Sequence, residues 1–262
     1  MQTGKIIDYI VQWLTEYSDT SGMSGFVVGV SGGVDSAVTS SLCAKTGKQV
    51  MALNMPICQA SNQISLAREH ITGLENRYKR VQGVEIDLTR AFETLKNTLP
   101  SEIQDDLSMA NTRSRLRMLT LYAFASHYRL LVAGTGNKVE DFGVGFFTKY
   151  GDGGVDISPI ADLMKSEVYG LAEHLGIAAG IMDAPPTDGL FEDNRTDEGQ
   201  IGASYAELEA AMVFDKGQPG QEEEAGLNAR QKAVLDIYRR LNQANQHKME
   251  PVPVCVIPDA YR

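Results

Sequence analysis

Residues 26–42 read FVVGVSGGVDSAVTSSL, and the change of pattern inside this stretch decides the fold. Phe26 to Val30 is short, apolar and β-branched on successive positions, which suits a strand covered on both faces in a parallel sheet. Two glycines break the run, and a helix-like pattern resumes with Asp35. A strand that turns sharply into a helix leaves unpaired N–H groups at the helix N-terminus, where the macrodipole adds partial positive charge. Phosphate binds readily there. Gly32 and Gly33 let oxygens approach the backbone without a Cβ in the way, and Ser31 and Ser36 add hydroxyl donors. Asp35 is the odd member, because a carboxylate repels a polyphosphate unless a divalent cation sits between them. Mg²⁺ is held typically by one or two carboxylates plus phosphate oxygens, so the aspartate implies a metal. A serine N-cap, a glycine turn and an acidic first helical turn are each common alone; their combination after a first parallel strand is much rarer. The loop is not a Walker A motif, since no G-K-[ST] follows. Nor is it a dinucleotide fingerprint: at GTGNKV, residues 134–139, Val139 stands where the third glycine belongs.

Working outward, similar apolar runs begin at Gln49 (QVMALNMP), Arg80 (RVQGVEIDL) and Arg129 (RLLVAGT). Between them lie DSAVTSSLCAKTG, SNQISLAREHITGLE, LTRAFETLKNTL and RSRLRMLTLYAFASHY, all too long for strands and periodic in their apolar residues. This βαβ alternation predicts an α/β fold, a doubly wound parallel sheet flanked by helices, with ligands collecting beyond the carboxyl ends of the strands. Before the first strand, Ile6, Ile10, Trp13, Leu14 and Tyr17 recur at helical spacing, which predicts an amphipathic helix over 4–18 with that stripe buried. After about residue 160 helices dominate, with no boundary that divides the chain, so residues 1–262 read as a single domain. Two polar segments, 183–200 and 215–226, are long enough to act as lids, although a solvated connector is the commoner use of such composition, and PVPVCVIPDAYR at the end reads as an extended surface tail.

With 43% hydrophobic and 22% charged residues, the 262-residue chain can bury a substantial core. Its formal net charge of -10 provides no global positive field for nucleic acid or an anionic membrane. Any polyanionic ligand must be held by local groups. Cys43, Cys58 and Cys255 are widely spaced and form no C-x-x-C pair, which argues against zinc knuckles and disulfide frameworks and fits a reducing, cytoplasmic setting. His70, His127, His174 and His247 have no zinc-binding spacing. The N-terminus has charges inside its apolar pattern and no small-residue cleavage site, so it reads as neither signal peptide nor membrane span.

A second segment carries chemistry. In GTGNKVEDFGVGFFTKYGDGGVDISPIADLMKSEVYGLAEHLG, residues 134–176, Thr135 and Glu140 follow the fourth strand to the same rim as the first loop, so Glu140 can complete a metal pair with Asp35. Lys149, Asp152 and Asp156 lie among glycines suited to close backbone approach to a ligand, and Lys165 follows. Any one of these residues alone reads equally well as a solvated charge or a turn residue.

SGGVDS matches the S-G-G-x-D-S signature of the ATP pyrophosphatases, the PP-loop or N-type superfamily, and the fold implied is of the adenine nucleotide alpha-hydrolase-like type. The 134–176 segment resembles the ammonia-dependent NAD synthetases. So do NTRSRLRM at 111–118, APPTDGL, TDEGQIGASYAELE and the His-Lys pair at 247 and 248. The resemblance implies ATP- and Mg²⁺-dependent amidation of deamido-NAD by ammonia through an adenylated carboxylate, releasing AMP and pyrophosphate, in a cytoplasmic homodimer. Carried over to this chain, it puts Gly29, Val30, Ser31, Gly32, Gly33, Val34, Asp35 and Ser36 on the ATP phosphates, joined by Thr135, Lys165 and Thr187. Asp35 and Glu140 would hold Mg²⁺. Arg115, Lys149, Asp156, His247 and Lys248 would bind deamido-NAD. Asp152 would lie near ammonia and accept its proton, while Lys165 would offset charge on the leaving pyrophosphate.

The chain also departs from the family pattern. Asn54 replaces the arginine expected after the second strand, and Gln59 aligns with the family glutamine only across a gap. Between Glu140 and Lys149 there is one residue more than in some relatives, an insertion that would shift Glu140. Met249 stands where an arginine is expected. Only 28 residues precede Gly29, too few for a glutaminase domain, so free ammonia is the expected donor. Related tRNA-modifying enzymes rely on cysteines or a basic RNA surface, and neither pattern is present. Leu116, Leu119 and Phe124, on the arginine-bearing helix, are of a kind more often core than interface, yet this helix is the candidate for dimer contacts.

Overall fold

The computed structural model describes every residue except 60, 188 and 192–194. In chain order the first half is α1 (Thr3–Thr20), β1 (Gly25–Gly29), α2 (Val34–Lys45), β2 (Gln49–Asn54), α3 (Ser61–Arg77), β3 (Val81–Glu85), α4 (Thr89–Thr98), α5 (Asp106–Tyr128) and β4 (Leu130–Val132). A π-helical turn at Val139–Val144 follows, then α6 (Lys165–Leu175), α7 (Ala179–Met182), α8 (Asp197–Ile201), α9 (Tyr205–Lys216), α10 (Gln221–Ala225) and α11 (Ala229–Met249). Four parallel strands lie in the order β3-β2-β1-β4, with Val27 opposite Met51 on one side and Val132 on the other. The chain leaves β1 toward β2 and returns to its other edge as β4, so the order reverses beside β1.

Each face of β1 is covered. Phe26 and Val28 point into a core shared with α1, α2, α3 and α6; Val27 points into a second core with Met51, Leu53, Phe92 of α4 and Met109 of α5. Burying each such side chain is worth about 1.5–3 kcal/mol, which is why successive apolar positions in β1 are all stabilising. In α2, wedged between the sheet and α6, Ser40 and Ser41 are buried and donate their hydroxyls to the carbonyls of Ser36 and Ala37, both at 2.7 Å. A third core joins the π turn to α8, α9 and α11 through Val139, Leu208, Val234 and Tyr238.

Two expectations need correction. In α1 the buried line is Ile7, Ile10, Leu14 and Ser18, while Tyr17 is 41% exposed, because the face that packs centres about one position later than the expected stripe. The 215–226 segment is a connector and not a lid: α10 occupies 221–225, and Arg239 of α11 ties the segment down through Asp215 and Glu224, both at 2.6 Å. The tail beyond Met249 is exposed, as expected. No helix among the described residues is long and apolar enough to cross a membrane.

His70 of α3 meets the Ser40 hydroxyl at 2.9 Å, and burial pushes its imidazole down to about 4. The folded state therefore binds fewer protons than the unfolded state between pH 4 and 6.5. Its contribution is complete above pH 6.5 and is lost as pH falls toward 4, by up to about 3 kcal/mol. Urea unfolding at pH 7 and pH 4.5 checks this: His70→Gln should flatten the difference.

Candidate active site

The carboxyl ends of β1, β2 and β4 open onto a cavity of about 510 Å³. The loop 29–36 lines its middle; Leu53, Asn54 and Met55 after β2 line one limb, and Ser114 of α5 with Asp152 line the other. The loop is held ready. Val30 N–H donates to Leu53 O at 2.8 Å, and the Ser36 hydroxyl donates to Gly33 O at 2.9 Å while accepting from Ser31 N–H at 3.2 Å. Gly32 has φ +91°, and a Cβ there would stand 2.7 Å from Gln63 O, so both conformation and the nearness of α3 require glycine. Gly33 precedes α2 without any side-chain cap, which leaves the helix N-terminus facing the cavity.

At that terminus lies a buried charge cluster. Lys165, the first residue of α6 and 3% exposed, donates to Asp35 Oδ2 at 2.5 Å and to Glu140 Oε1 at 3.2 Å. Burial alone would lower the ammonium's pKa, but Glu140 and Asp35 outweigh it and hold the lysine charged well above its ordinary range. For Asp35, burial raises the carboxyl, Lys165 opposes, and Glu140 raises it further. Asn137, fully buried, donates to Asp35 Oδ1 at 3.2 Å and accepts the N–H groups of Val139 and Glu140. Tyr205, opening α9, donates its hydroxyl to Glu140 Oε1 at 2.5 Å. The segment from Glu140 to Lys149 opens with the π turn, and Glu140 reaches Lys165 from it.

Asp152 is exposed and lines the cavity. Its Oδ1 accepts from Ser114 Oγ at 2.6 Å and Thr148 N–H at 3.0 Å. The protein packed around its inner side raises this carboxyl despite those two donors. Its neighbour in the cluster, Asp141, is pushed up to about 8 by burial and by Glu140, Asp152 and Asp35.

All of Gly29 to Ser36, with Thr135, Glu140, Asp152, Lys165 and Thr187, line the cavity. Thr187 also bonds within its own segment, donating to Arg195 O at 3.0 Å. Of the 183–200 segment, residues 184–187, 189–190 and 196–197 line the cavity; the Asp of APPTDGL and residues 192–194 lie outside the described residues. Arg115, Lys149, Asp156, His247 and Lys248 gather outside the cavity wall, and several are committed to internal bonds. Asp156 accepts from Val132 N–H at 2.8 Å and Tyr122 at 3.0 Å; Lys248 donates to Gly145 O and Phe147 O; Lys149 donates to His247 O. Asn54 donates to Glu85 at 3.0 Å, and Arg68 grips the same carboxylate. Of the dimer candidates, Leu116 and Phe124 pack partly into the second core, whereas Leu119 is 63% exposed. Asn137, Ser114 and Tyr205 were missed as site residues. Tyr205 lay inside the quoted TDEGQIGASYAELE, where only its contact with Glu140 reveals its place.

The profile of the family described as NAD synthase matches residues 6–252. The chain belongs to that family. The NH(3)-dependent NAD(+) synthetase of Carboxydothermus hydrogenoformans is 35% identical over 244 residues, covering 91% of this chain and 92% of that one. Among solved structures, the NMN synthetase of Francisella tularensis is 31% identical with a TM-score of 0.83, each chain covered to 99%. The NH3-dependent NAD synthetase of Campylobacter jejuni is 26% identical with a TM-score of 0.78, covering 98% of this chain and all of that one. The fold of this chain is thus shared with solved members of that family.

Lys165 is the only cation bonded to both carboxylates among the described residues. Lys165→Met should leave Asp35 and Glu140 facing each other unpaired and cost about 3–5 kcal/mol in metal-free buffer. Chemical denaturation reads this directly; a loss below about 1 kcal/mol would mean the cluster is solvated.

Proposed function

We propose that this NAD synthase family member amidates the nicotinate carboxylate of deamido-NAD with free ammonia, consuming ATP and yielding NAD, AMP and pyrophosphate. The observation that carries this reading is the Asp35–Lys165–Glu140 cluster at the uncapped head of α2, in the same cavity as Asp152. In the first step a carboxylate oxygen attacks the α-phosphorus and pyrophosphate leaves. In the second, ammonia nitrogen attacks the acyl carbon, AMP leaves, and a nitrogen-bound proton passes to a base.

This chain's residues supply most of what those steps need. The open N–H groups of α2 and the glycine backbone receive pyrophosphate oxygens as their charge grows. Lys165 neutralises the same charge from the other side. Two buried carboxylates beside an open cavity suit a divalent cation that takes its remaining ligands from phosphate; no third His, Cys, Asp or Glu completes a protein-only cage among the described residues. Mg²⁺ held by Asp35 and Glu140 would offset the repulsion between substrate carboxylate and triphosphate. Asp152, fixed by Ser114 and Thr148, attracts ammonium and accepts its proton. Residues 184–187 and 189–190, on the cavity wall, keep water from the adenylate. We also read the whole chain as one domain, homodimeric and cytoplasmic: exposed Leu107 and Leu119 on α5 support a partner surface, and three free cysteines fit a reducing setting.

A second reading, amidation of the deamido mononucleotide to NMN, is favoured by one observation. The cationic and acidic positions expected to grip the far end of a dinucleotide lie outside the cavity and are engaged in holding backbone. The likeness to the Francisella NMN synthetase points the same way. Pyrophosphate release with each nucleotide, ATP, ammonium and Mg²⁺ decides between them: a higher kcat/KM for deamido-NAD supports the first reading, for the mononucleotide the second, and release with neither rejects both. Asp152→Ala should raise the ammonium requirement or cut turnover roughly 10²–10⁴-fold; unchanged ammonium kinetics would remove Asp152 from the mechanism.

A further inference from the structure

Tyr205 is 5% exposed and belongs by packing to the third core, yet its ring and hydroxyl both face the charge cluster. The Lys165 ammonium lies 4.5 Å from its ring centroid, and its hydroxyl stands 2.5 Å from Glu140 Oε1 and 3.3 Å from Asp197 Oδ2. Its backbone is fixed independently. Ser204 and Glu207 form a capping box at the start of α9, and Tyr205 N–H donates to Glu198 Oε1 at 2.9 Å. The phenol therefore occupies a set position against which Glu140 and Lys165 rest.

Lys165 and Tyr205 both bond the same oxygen of Glu140, so Oε2 keeps no protein donor among the described residues. Lys165 is asked to serve two partners, the carboxylates here and the departing pyrophosphate under the proposed reaction. When it turns to phosphate, Tyr205 is the donor that remains on Oε1. We propose that Tyr205 is a positioning residue: it fixes the Glu140 carboxylate through Oε1 so that Oε2 stays available to a divalent cation whether or not Lys165 is engaged. This rests on the reading of Asp35 and Glu140 as the metal pair.

The test is Mn²⁺ affinity, read by electron paramagnetic resonance in the presence of α,β-methylene-ATP, in wild type, Tyr205→Phe, Glu140→Gln and the double variant. Phenylalanine keeps the ring in the third core, and thermal melting confirms the folded fraction on which affinity is measured. Tyr205→Phe should weaken Mn²⁺ about 10–100-fold, as loss of partners to metal ligands commonly does. It should add no further loss in the Glu140→Gln background, because its effect passes through that carboxylate. In turnover, kcat should fall while KM for the pyridine nucleotide stays within about twofold. Equal loss in both backgrounds, or no loss in wild type, overturns the positioning role while leaving the metal pair intact. A Glu140→Gln variant with wild-type Mn²⁺ affinity overturns the metal pair itself, and the positioning role with it.

Discussion

A single buried ammonium between two carboxylates organises this molecule. Asp35, Glu140 and Lys165 come from the start of α2, the π turn after β4 and the start of α6, three segments that only the completed sheet brings together. Taking such charges out of water costs several kcal/mol each, and well-packed apolar residues of similar volume commonly serve stability as well or better. The cluster is therefore poor value as a structural clamp. Its location explains it better: it sits at the mouth of an uncapped helix, in the wall of the cavity onto which the strand ends open.

Such a cluster needs neighbours that keep it in register. Asn137 does this with one side chain, its amide nitrogen toward Asp35 and its oxygen on two backbone N–H groups, one of them that of Glu140. It thereby couples the first loop to the segment that follows β4. The π turn lies immediately beyond. A π turn fits one more residue into a helical segment than an α-helix does, so extra length is absorbed as local bulge while the residue at its start keeps its aim. Val139 and Val144, buried in the third core, anchor the turn at both ends.

Much of this was legible before the fold was known. Successive apolar residues at Phe26–Val30 announced a strand buried on both faces, and the alternation of apolar runs with helical patterns announced a parallel sheet flanked by helices. Other features were not legible because they depend on contacts between distant segments. β4 is only three residues long, with Ala133 continuing as a bridge to Ile157, so its run of apolar letters overstated the strand. The buried line of α1 shifted to Ile7 because α2 and α6, not α1's own pattern, set the packing face. Tyr205 was one letter in a family-like run, and nothing local to it announces that its hydroxyl meets Glu140. For the polar 215–226 segment composition left lid and connector open, because it reports solvation and not what an arginine on α11 ties down.

The five residues expected to grip a dinucleotide raise a different point. A lysine or aspartate whose hydrogen bonds are already made to backbone must break them to serve a ligand, and each buried bond to a charged group is worth about 1.5–3 kcal/mol. Asp156 holds the N–H of Val132 in β4, and Lys248 holds the carbonyls of Gly145 and Phe147, either side of the turn leading to Lys149. These bonds tie β4 and the stretch before Lys149 to neighbouring segments, so the side chains that fix this part of the wall are the same ones a ligand there would have to draw away.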